Sequence, residues 1–134
     1  MIFLDTSYLV AYYNEDDQNH KKAIKLMELF FSGNYGEFII SDYVFDEFIT
    51  VMFHKIKNIP SVVKVGNDVL FFTTYFSVTK DIFNISWKLF EVQQKTKFGF
   101  TDCTIVALMN DLAIKYLATF DQDFKKVEGI KILG

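Results

Sequence analysis

The stretch MIFLDTSYLV, residues 1–10, decides the fold and raises the first question about function. Its first four residues are apolar, as in a buried β-strand, and Asp5 follows them directly. Asp, Thr and Ser often stand after a strand because their side chains accept hydrogen bonds from backbone N–H groups in turns and at helix starts. A turn therefore explains Asp5 alone, but it does not explain the other acids that hold equivalent places further along the chain.

Apolar runs of strand length recur along the sequence and alternate with helical patterns. The runs cover residues 1–4, 38–40, 75–78, 116–118 and 130–133, and the helical patterns cover residues 18–31, 42–56, 60–72, 82–92 and 101–113. Ser41 has the place of a helix N-cap, and Pro60 falls in the first turn of the next helix. We therefore expect an α/β three-layer sandwich in a single domain over residues 1–134, with a mainly parallel sheet of four or five strands flanked by helices.

Composition narrows the class of protein. Hydrophobic residues make up 51% of the chain and charged residues 23%, which is typical of a folded globular protein. The single Cys cannot form an internal disulfide, and neither a signal peptide nor a membrane-spanning stretch is visible, so we expect a soluble cytoplasmic protein without a membrane contact. All 14 basic residues are Lys, so a phosphate contact must use the point charge of Lys instead of the bidentate fork of Arg. The formal net charge of −3 weighs slightly against a nucleic-acid-binding protein.

Two acids follow predicted strands. Asp5 comes after the first strand, and Asp121 comes just after the strand in KYLATF, within the stretch ATFDQDF. In an open parallel sheet, ligands bind beyond the carboxyl ends of the strands. We therefore expect both carboxylates to reach the same rim of the sheet.

Two further acids lie on predicted helices. In FTDCTIVALMND, Asp102 heads the apolar face of its helix and is predicted to point inward. That face carries Ile105, Val106, Met109 and Ala113. In SDYVFDEFITVMF, Glu47 falls outside the main apolar stripe, and periodicity does not choose between Glu47 and its neighbour Asp46.

A cluster of these acids would need a counter-charge. Taken singly, each acid is more often a cap, a turn residue or a solvated side chain. Two carboxylates 4 Å apart repel each other by about 4 kcal/mol at an effective dielectric constant of 20, so a cluster must take up protons or bind cations. Carboxylate oxygens without paired His or Cys suit Mg²⁺ or Mn²⁺. The pattern therefore predicts a divalent-metal pocket, and such pockets commonly act on phosphate esters.

Four motifs in order, IFLDTSYL, SDYVFDEF, FTDCTIVAL and ATFDQDF, resemble those of the PIN domain family over nearly the whole chain. That family contains metal-dependent ribonucleases, including VapC-type toxins of toxin–antitoxin pairs. The resemblance favours Glu47 over Asp46 and implies a catalytic role as metal ligands for Asp5, Glu47, Asp102 and Asp121. It also implies an auxiliary role for Asp123 and an orienting role for the hydroxyls of Thr6 or Ser7 and of Thr101.

The resemblance implies an endoribonuclease that hydrolyses RNA phosphodiester bonds with one or two Mg²⁺ or Mn²⁺ ions and acts as the toxin of a toxin–antitoxin pair. The expected partners are the RNA substrate, an antitoxin protein and a second copy of the chain in a homodimer. Neutralising the four acids changes the formal net charge from −3 to +1, so a metal-filled site does not repel RNA. Candidate contacts to the RNA backbone are Lys55, Lys57, Lys64, Lys95 and Lys97.

Several residues receive no chemical role. His20 and His54 have no second His or Cys at zinc spacing, and Cys103 has no His partner, so we expect two surface or helix-side histidines and a buried thiol. The stretch VLFFTTYF is predicted to lie in the core together with Phe30 and Phe31, with a dimer contact as the alternative. Two other functions stay open, a PIN-like module that binds RNA or protein without cutting and a structure-specific DNA nuclease.

Overall fold

A computed structural model describes residues 1–134 and contains five strands, six α-helices and one short 3₁₀-helix. In chain order they are β1 (Ile2–Leu4), α1 (Thr6–Tyr13), α2 (His20–Ser32), β2 (Phe38–Ser41), α3 (Asp42–Ile56), α4 (Ile59–Phe72), β3 (Thr74–Phe76), α5 (Lys80–Val92), α6 (Phe100–Asp111), β4 (Tyr116–Ala118), the 3₁₀-helix (Gln122–Lys126) and β5 (Lys131–Leu133). Every predicted strand and helix is present, with bounds that differ by no more than two residues.

The five strands form one sheet in the order β3-β2-β1-β4-β5, and all four pairings are parallel. The first strand is the middle one, since Ile2 is in register with Phe38 of β2 on one side and with Tyr116 of β4 on the other. The predicted α/β sheet flanked by helices is confirmed. Because every strand runs in the same direction, the residues that follow β1, β2 and β4 all emerge at one edge of the sheet.

The core forms a single apolar cluster of 29 buried residues. The three residues of β1 are fully buried, as expected for the central strand of a sheet covered on both faces. On the side of α1, the large aromatic side chains of Tyr8 and Phe48 fill the space between the helices. None of the helices has the length and apolarity needed to cross a membrane.

Helix α1 is the one α-helix that the sequence patterns did not predict. Its residues, TSYLVAYY, contain no charge and are buried on nearly every side, so they show no polar face and no helical period. Helix α1 packs against both α2 and α3. The helix begins directly after Asp5 and holds Thr6 and Ser7 in its first turn, which gives the end of β1 a fixed geometry.

The prediction that VLFFTTYF lies in the core is wrong for half of this stretch. Val69 is buried, but Phe71 at the end of α4 is 92% exposed, and Leu70 and Tyr75 are also exposed. On α2 the same contrast separates two neighbours, because Phe30 is buried while Phe31 is 69% exposed. A helix turns by about 100° per residue, so in a run of adjacent apolar residues some must point away from the core.

Candidate active site

Asp5 stands between β1 and α1. Its backbone N–H donates to the carbonyl of Ala118 (3.0 Å), and its own carbonyl accepts the first hydrogen bonds of α1 from Tyr8 and Leu9 (both 3.1 Å). Asp5 is therefore the N-cap residue of α1, but its side chain makes no capping hydrogen bond. Backbone hydrogen bonds of Asp5 complete the end of β1 and the start of α1. The buried carboxylate is therefore not needed for either element.

Two hydroxyl groups hold one oxygen of Asp5. Ser7 Oγ donates to Asp5 Oδ2 (2.6 Å), and Thr119 Oγ1 donates to the same oxygen (2.7 Å). The same hydroxyls accept from the loop after β4, since Phe120 N–H donates to Ser7 Oγ (3.0 Å) and Asp121 N–H donates to Thr119 Oγ1 (3.0 Å). This network connects the ends of β1 and β4 and leaves Asp5 Oδ1 without a hydroxyl partner.

Glu47 reaches this site from the middle of α3. The hydroxyl of Thr6 donates to Glu47 Oε2 (2.6 Å), which ties the first turn of α1 to α3. Asp46, one residue earlier, points elsewhere and does not line the pocket that contains the other acids. Periodicity alone could not decide between the two, whereas the structure brings only Glu47 to the site.

Asp102 is the third residue of α6, and Asp121 is the residue before the 3₁₀-helix. The N–H of Gly99 donates to Asp102 Oδ2 (2.9 Å), so one carboxylate oxygen closes the start of α6. The N–H of Asp123 donates to Asp121 Oδ1 (2.8 Å), so one oxygen of Asp121 likewise starts its helix. Each of these acids uses a single oxygen to fix its own orientation.

All four predicted acids line one pocket of about 340 Å³ at the carboxyl edge of the sheet. The pocket is bounded by Asp5, Thr6, Ser7, Val10, Asp17, Asn19, Glu47, Val51, Asp102, Phe120 and Asp121. No ion pair involves any of the four acids, because the one ion pair of the chain joins Lys126 to Asp123. The structure thus gathers the four predicted carboxylates and that of Asp17 in one pocket without an internal counter-charge, and we refer to it below as the acid pocket.

The pKa values of Asp5 and Asp102 are raised in the acid pocket. Burial raises the pKa of Asp5, and the charge of Glu47 adds to the effect, while the hydroxyls of Ser7 and Thr119 oppose it. Burial raises the pKa of Asp102 to about 7, helped by the charges of Asp5, Asp121 and Glu47 and opposed by the Gly99 N–H. A bound cation would relieve the same repulsion and return both groups to the ionised form.

The donor set fits a hard divalent cation. It consists of carboxylate and hydroxyl oxygens, without His or Cys, which is the chemistry that Mg²⁺ and Mn²⁺ prefer. No three of the acids stand close enough together to form a ready-made ligand cluster. A Mg²⁺ ion held there would use one or two of the carboxylates and keep water molecules or substrate oxygens as its remaining ligands.

Other residues with predicted roles lie outside the acid pocket. The carboxylate of Asp123 accepts from Lys97 N–H (2.8 Å) and from Lys126 Nζ (2.6 Å), and these contacts, that of Lys126 first, lower its pKa. Thr101 is half-buried beside Asp102, and its carbonyl accepts from the Thr104 hydroxyl. The lysines predicted to contact RNA are exposed, and none of them lines the pocket: Lys55, Lys57, Lys64, Lys95 and Lys97.

Sequence patterns missed three polar residues of the site. Thr119 is fully buried and directly holds Asp5, and Asp17 and Asn19 border the acid pocket from the loop between α1 and α2. A hydroxyl in the motif ATFDQDF, directly beside a predicted strand end, was the only available signal for Thr119. For the loop residues no local signal exists, because their place depends on the packing of α2 against α1.

A larger cavity of about 430 Å³ lies behind α6 and contains none of the four acids. Its lining is half apolar and includes Leu89, Phe98, Val106 and Cys103. Burial raises the pKa of the Cys103 thiol to about 11, so this group is neutral at physiological pH.

The two histidines, His20 and His54, each form a hydrogen bond only with a backbone carbonyl, of Ala11 and Thr50 respectively. Neither the Cys103 thiol nor the two histidines therefore joins the four predicted acids in the acid pocket.

Solved structures with the same fold come from several bacteria. The VapC20 toxin of Mycobacterium tuberculosis, described as cleaving the sarcin–ricin loop, shares 24% identity at a TM-score of 0.83, with 94% of each chain covered. VapBC2 of Rickettsia felis, bound to a DNA fragment from its promoter, shares 20% identity at a TM-score of 0.74, with 99% of this chain and 98% of the other covered.

A toxin–antitoxin complex from Klebsiella pneumoniae shares 18% identity at a TM-score of 0.72, with 100% of this chain and 97% of the other covered. No curated relative matches the sequence. The family model of the PIN domain matches residues 2–130, which contain the first four strands and all the helices and leave out only β5. The resemblance drawn from the four motifs is confirmed, and the chain belongs to the PIN domain family.

Proposed function

We propose that this protein is a metal-dependent endoribonuclease and the toxin of a toxin–antitoxin pair. The observation that carries the proposal is the acid pocket, in which four carboxylates from four separate elements meet without a cationic side chain. An uncompensated group of this kind is costly for a folded protein, and structures keep such groups where a ligand relieves the cost. The described activity of VapC20, which shares the fold, supports RNA as the substrate.

The metal ligands in this proposal are Asp5, Glu47, Asp102 and Asp121, which would hold one or two Mg²⁺ or Mn²⁺ ions. When bound, such an ion lowers the pKa of a water molecule and neutralises charge on a phosphodiester. The side chains around it determine geometry. Ser7 and Thr119 fix Asp5 Oδ2 and leave Oδ1 for the ion, and Thr6 orients Glu47 in the same way. No nucleophilic side chain is needed.

We also propose that an antitoxin segment covers an apolar groove between α1, α2 and α4. The groove has a volume of about 290 Å³ and is lined by Tyr12, Tyr13, Met27, Phe31, Asp68, Phe71 and Phe72. A groove lined almost entirely by apolar side chains, one of which, Phe71, is 92% exposed, is typical of a protein-binding site. The Klebsiella structure with this fold is a toxin–antitoxin complex, which supports an antitoxin as the occupant. Asp68 favours a segment that carries a basic side chain.

The homodimer is proposed on a different surface, the aromatic face of α5. Trp87 and Phe90 stack there (5.6 Å, 17°), and Phe83 contacts Phe100 (5.1 Å) while remaining 42% exposed. Helix α5 carries Lys80 and Asp81 at its start and Lys88 and Glu91 near its end. Lys80 and Glu91 lie on the same side of the helix as Trp87, seven residues before it and four after it, so two copies of α5 that run in opposite directions place these opposite charges side by side. This self-complementarity is the reason for assigning the second copy to α5 instead of VLFFTTYF.

The decisive experiment measures RNA cleavage by the purified protein with Mg²⁺, with Mn²⁺ and with chelator. We expect cleavage with either metal and none with chelator, and loss of cleavage in Asp5→Asn and Asp102→Asn proteins that still fold. Glu47→Gln and Asp46→Asn form a matched pair, because they change adjacent acids on one helix and only Glu47 enters the acid pocket.

Three outcomes would contradict the proposal in different ways. Activity that survives in both Asp variants would exclude the acid pocket as the catalytic centre. Tight RNA binding without turnover in any metal would indicate a binding module. Preferential cleavage of flapped DNA over RNA would indicate a structure-specific DNA nuclease.

A further inference from the structure

One lysine stands at the mouth of the acid pocket, and no sequence pattern pointed to it. The Nζ of Lys22 lies over the ring of Phe120, 5.6 Å from the ring centroid. Phe120 is itself part of the pocket lining, between the site residues Thr119 and Asp121. Asn19, which precedes α2, lines the same part of the pocket. The first turn of α2 therefore brings a positive charge to the edge of a negative pocket.

The position of Lys22 is supported by the ring below it. Phe120 packs against Tyr8 in a stacked arrangement (6.1 Å, 25°), and Tyr8 is anchored by the hydrogen bond from its hydroxyl to the Ala23 carbonyl (3.0 Å). An ammonium group over such a ring is attracted by about 0.5–1 kcal/mol at an exposed site. Lys22 forms no ion pair, so its charge remains free to meet an anion.

The rest of the acid pocket offers almost nothing that could hold a polyanion. Its five acids are acceptors, the hydroxyls of Thr6 and Ser7 already donate to carboxylates, and the amide of Asn19 is the one other side-chain donor in the lining. The chain contains no Arg, so a phosphate can be bound only by Lys, by backbone N–H groups or by a metal. No lysine lines the pocket itself, but Lys22 lies over the lining residue Phe120, whereas Lys95, one of the lysines predicted from the sequence, faces the cavity behind α6.

We propose that Lys22, held by Phe120, binds the RNA phosphate next to the one that is cleaved. This assignment rests on the proposed function, and it adds the residue that places the strand across the pocket. Lys22 does not take part in the chemistry, because it stands beyond Phe120 at the mouth and not among the acids. Lys22 therefore positions the strand. It contributes to the binding of an oligonucleotide with several phosphates and not to the hydrolysis of a single phosphodiester.

Binding is tested with a single-stranded RNA oligonucleotide and the Asp5→Asn protein, which is not expected to cut it. Lys22→Met keeps the apolar stem over Phe120 and removes the charge, and Lys21→Met removes the same charge from the neighbouring exposed position. We expect Lys22→Met to weaken binding severalfold and to reduce the salt dependence of log Kd by about 0.7, the value for one phosphate contact on a single strand. We expect Lys21→Met to leave both quantities close to those of the Asp5→Asn protein. Equal losses in the two variants, or none in either, would overturn the assignment.

Catalysis supplies a second readout. In an otherwise unaltered protein, Lys22→Met should raise KM for the oligonucleotide with little change in kcat, and should not affect hydrolysis of bis(p-nitrophenyl) phosphate, which has no neighbouring phosphate. A parallel loss on both substrates would place Lys22 at the reacting group and overturn the positioning role. If the unaltered protein cuts RNA and Lys22→Met binds normally, only this inference fails. If the unaltered protein cuts no RNA and Lys22→Met still loses binding selectively, only the proposed nuclease fails.

Discussion

At the scale of single residues, Asp102 combines two conflicting requirements. Its Oδ2 accepts from Gly99 N–H and closes the start of α6, which favours the charged carboxylate. Its burial and the surrounding acids disfavour that charge and raise its pKa to about 7. The group is therefore close to the point where a small change in pH, or the arrival of a cation, changes its ionisation.

We expect the metal-free protein to lose stability as pH rises from about 4 to about 7. In this range folded Asp102 keeps a proton that the unfolded chain releases, so the folded state binds more protons and the free energy of unfolding falls with rising pH. Asp102→Asn removes this contribution and keeps an acceptor for Gly99 N–H. In chelator, the melting temperature of the unaltered protein should therefore fall relative to that of Asp102→Asn as the pH rises over this range. Addition of Mg²⁺ at pH 8 should raise the melting temperature of the unaltered protein again. Melting curves that shift in parallel for the two proteins would contradict this expectation.

Substitution of Thr119 should weaken metal binding without removing any of the four carboxylates. Thr119→Val keeps the shape of this fully buried side chain but removes the hydroxyl that joins Asp5 to the Asp121 N–H. We expect metal affinity to fall about 10- to 100-fold and the free energy of unfolding to fall by about 1–3 kcal/mol. Isothermal titration with Mn²⁺ and urea denaturation measure the two quantities.

Ser86→Ala is the control for Thr119→Val. Ser86 is equally buried and donates to the Ile82 carbonyl within α5, away from the acid pocket. Ser86→Ala should lower the free energy of unfolding without lowering the affinity for Mn²⁺. Unchanged Mn²⁺ binding in Thr119→Val would show that Asp5 does not need its hydroxyl partners.

At the scale of elements, the starts of helices position three of the four acids of the site. Asp5 and Asp121 directly precede a helix, Asp102 lies in the first turn of α6, and α3 brings Glu47 from its second turn. Ser41 caps α3 through the hydrogen bond from Val44 N–H to its hydroxyl (3.2 Å), as the sequence pattern predicted. The cap fixes where α3 begins and hence where Glu47 stands.

We expect Ser41→Ala to lower the free energy of unfolding by about 1 kcal/mol, within the 0.5–2 kcal/mol typical of lost N-caps. Asn19→Ala is the matched control, because Asn19 is the N-cap residue of α2 but its side chain makes no capping hydrogen bond. Its stability should change by only a few tenths of a kcal/mol. Urea denaturation at constant pH compares the two, and equal losses would mean that the hydroxyl of Ser41 has no special role.

Elements also show what could be predicted from sequence and what could not. The strands and five helices were predictable because each has either a short apolar run or a polar face, and the acids at the ends of β1 and β4 followed from the direction of the strands. Helix α1 has no polar face, so its residues gave no period. Glu47 and Asp46 differ by one helical step, and only the packing of α3 against α1 distinguishes them. Thr119 and Lys22 act through contacts between distant segments, which no local pattern contains.

At the scale of the whole molecule, two apolar surfaces remain uncovered. The groove with Phe71 and the aromatic face of α5 with Trp87 lie on different helices and serve as controls for each other. We expect Trp87→Ser to shift the mass in solution from dimer to monomer, because it removes the largest side chain of the proposed contact. Light scattering after size-exclusion chromatography measures this mass.

Phe71→Ser should keep the dimer and weaken co-purification with an antitoxin encoded by a small adjoining gene. Phe71 is 92% exposed, so Phe71→Ser should change the melting temperature little. A dimer that persists in Trp87→Ser and dissociates in Phe71→Ser would reverse the assignment of the two surfaces.

The position of β1 in the middle of the sheet has a consequence for synthesis. The central strand is synthesised before its neighbour β4, which comes from residues 116–118, and before the last site acid, Asp121. Long-range pairings of this kind form late, after the intervening chain is available. A nascent chain that ends before β4 therefore has no assembled centre, and a protein that cuts RNA as proposed is inert until Asp121 has been added.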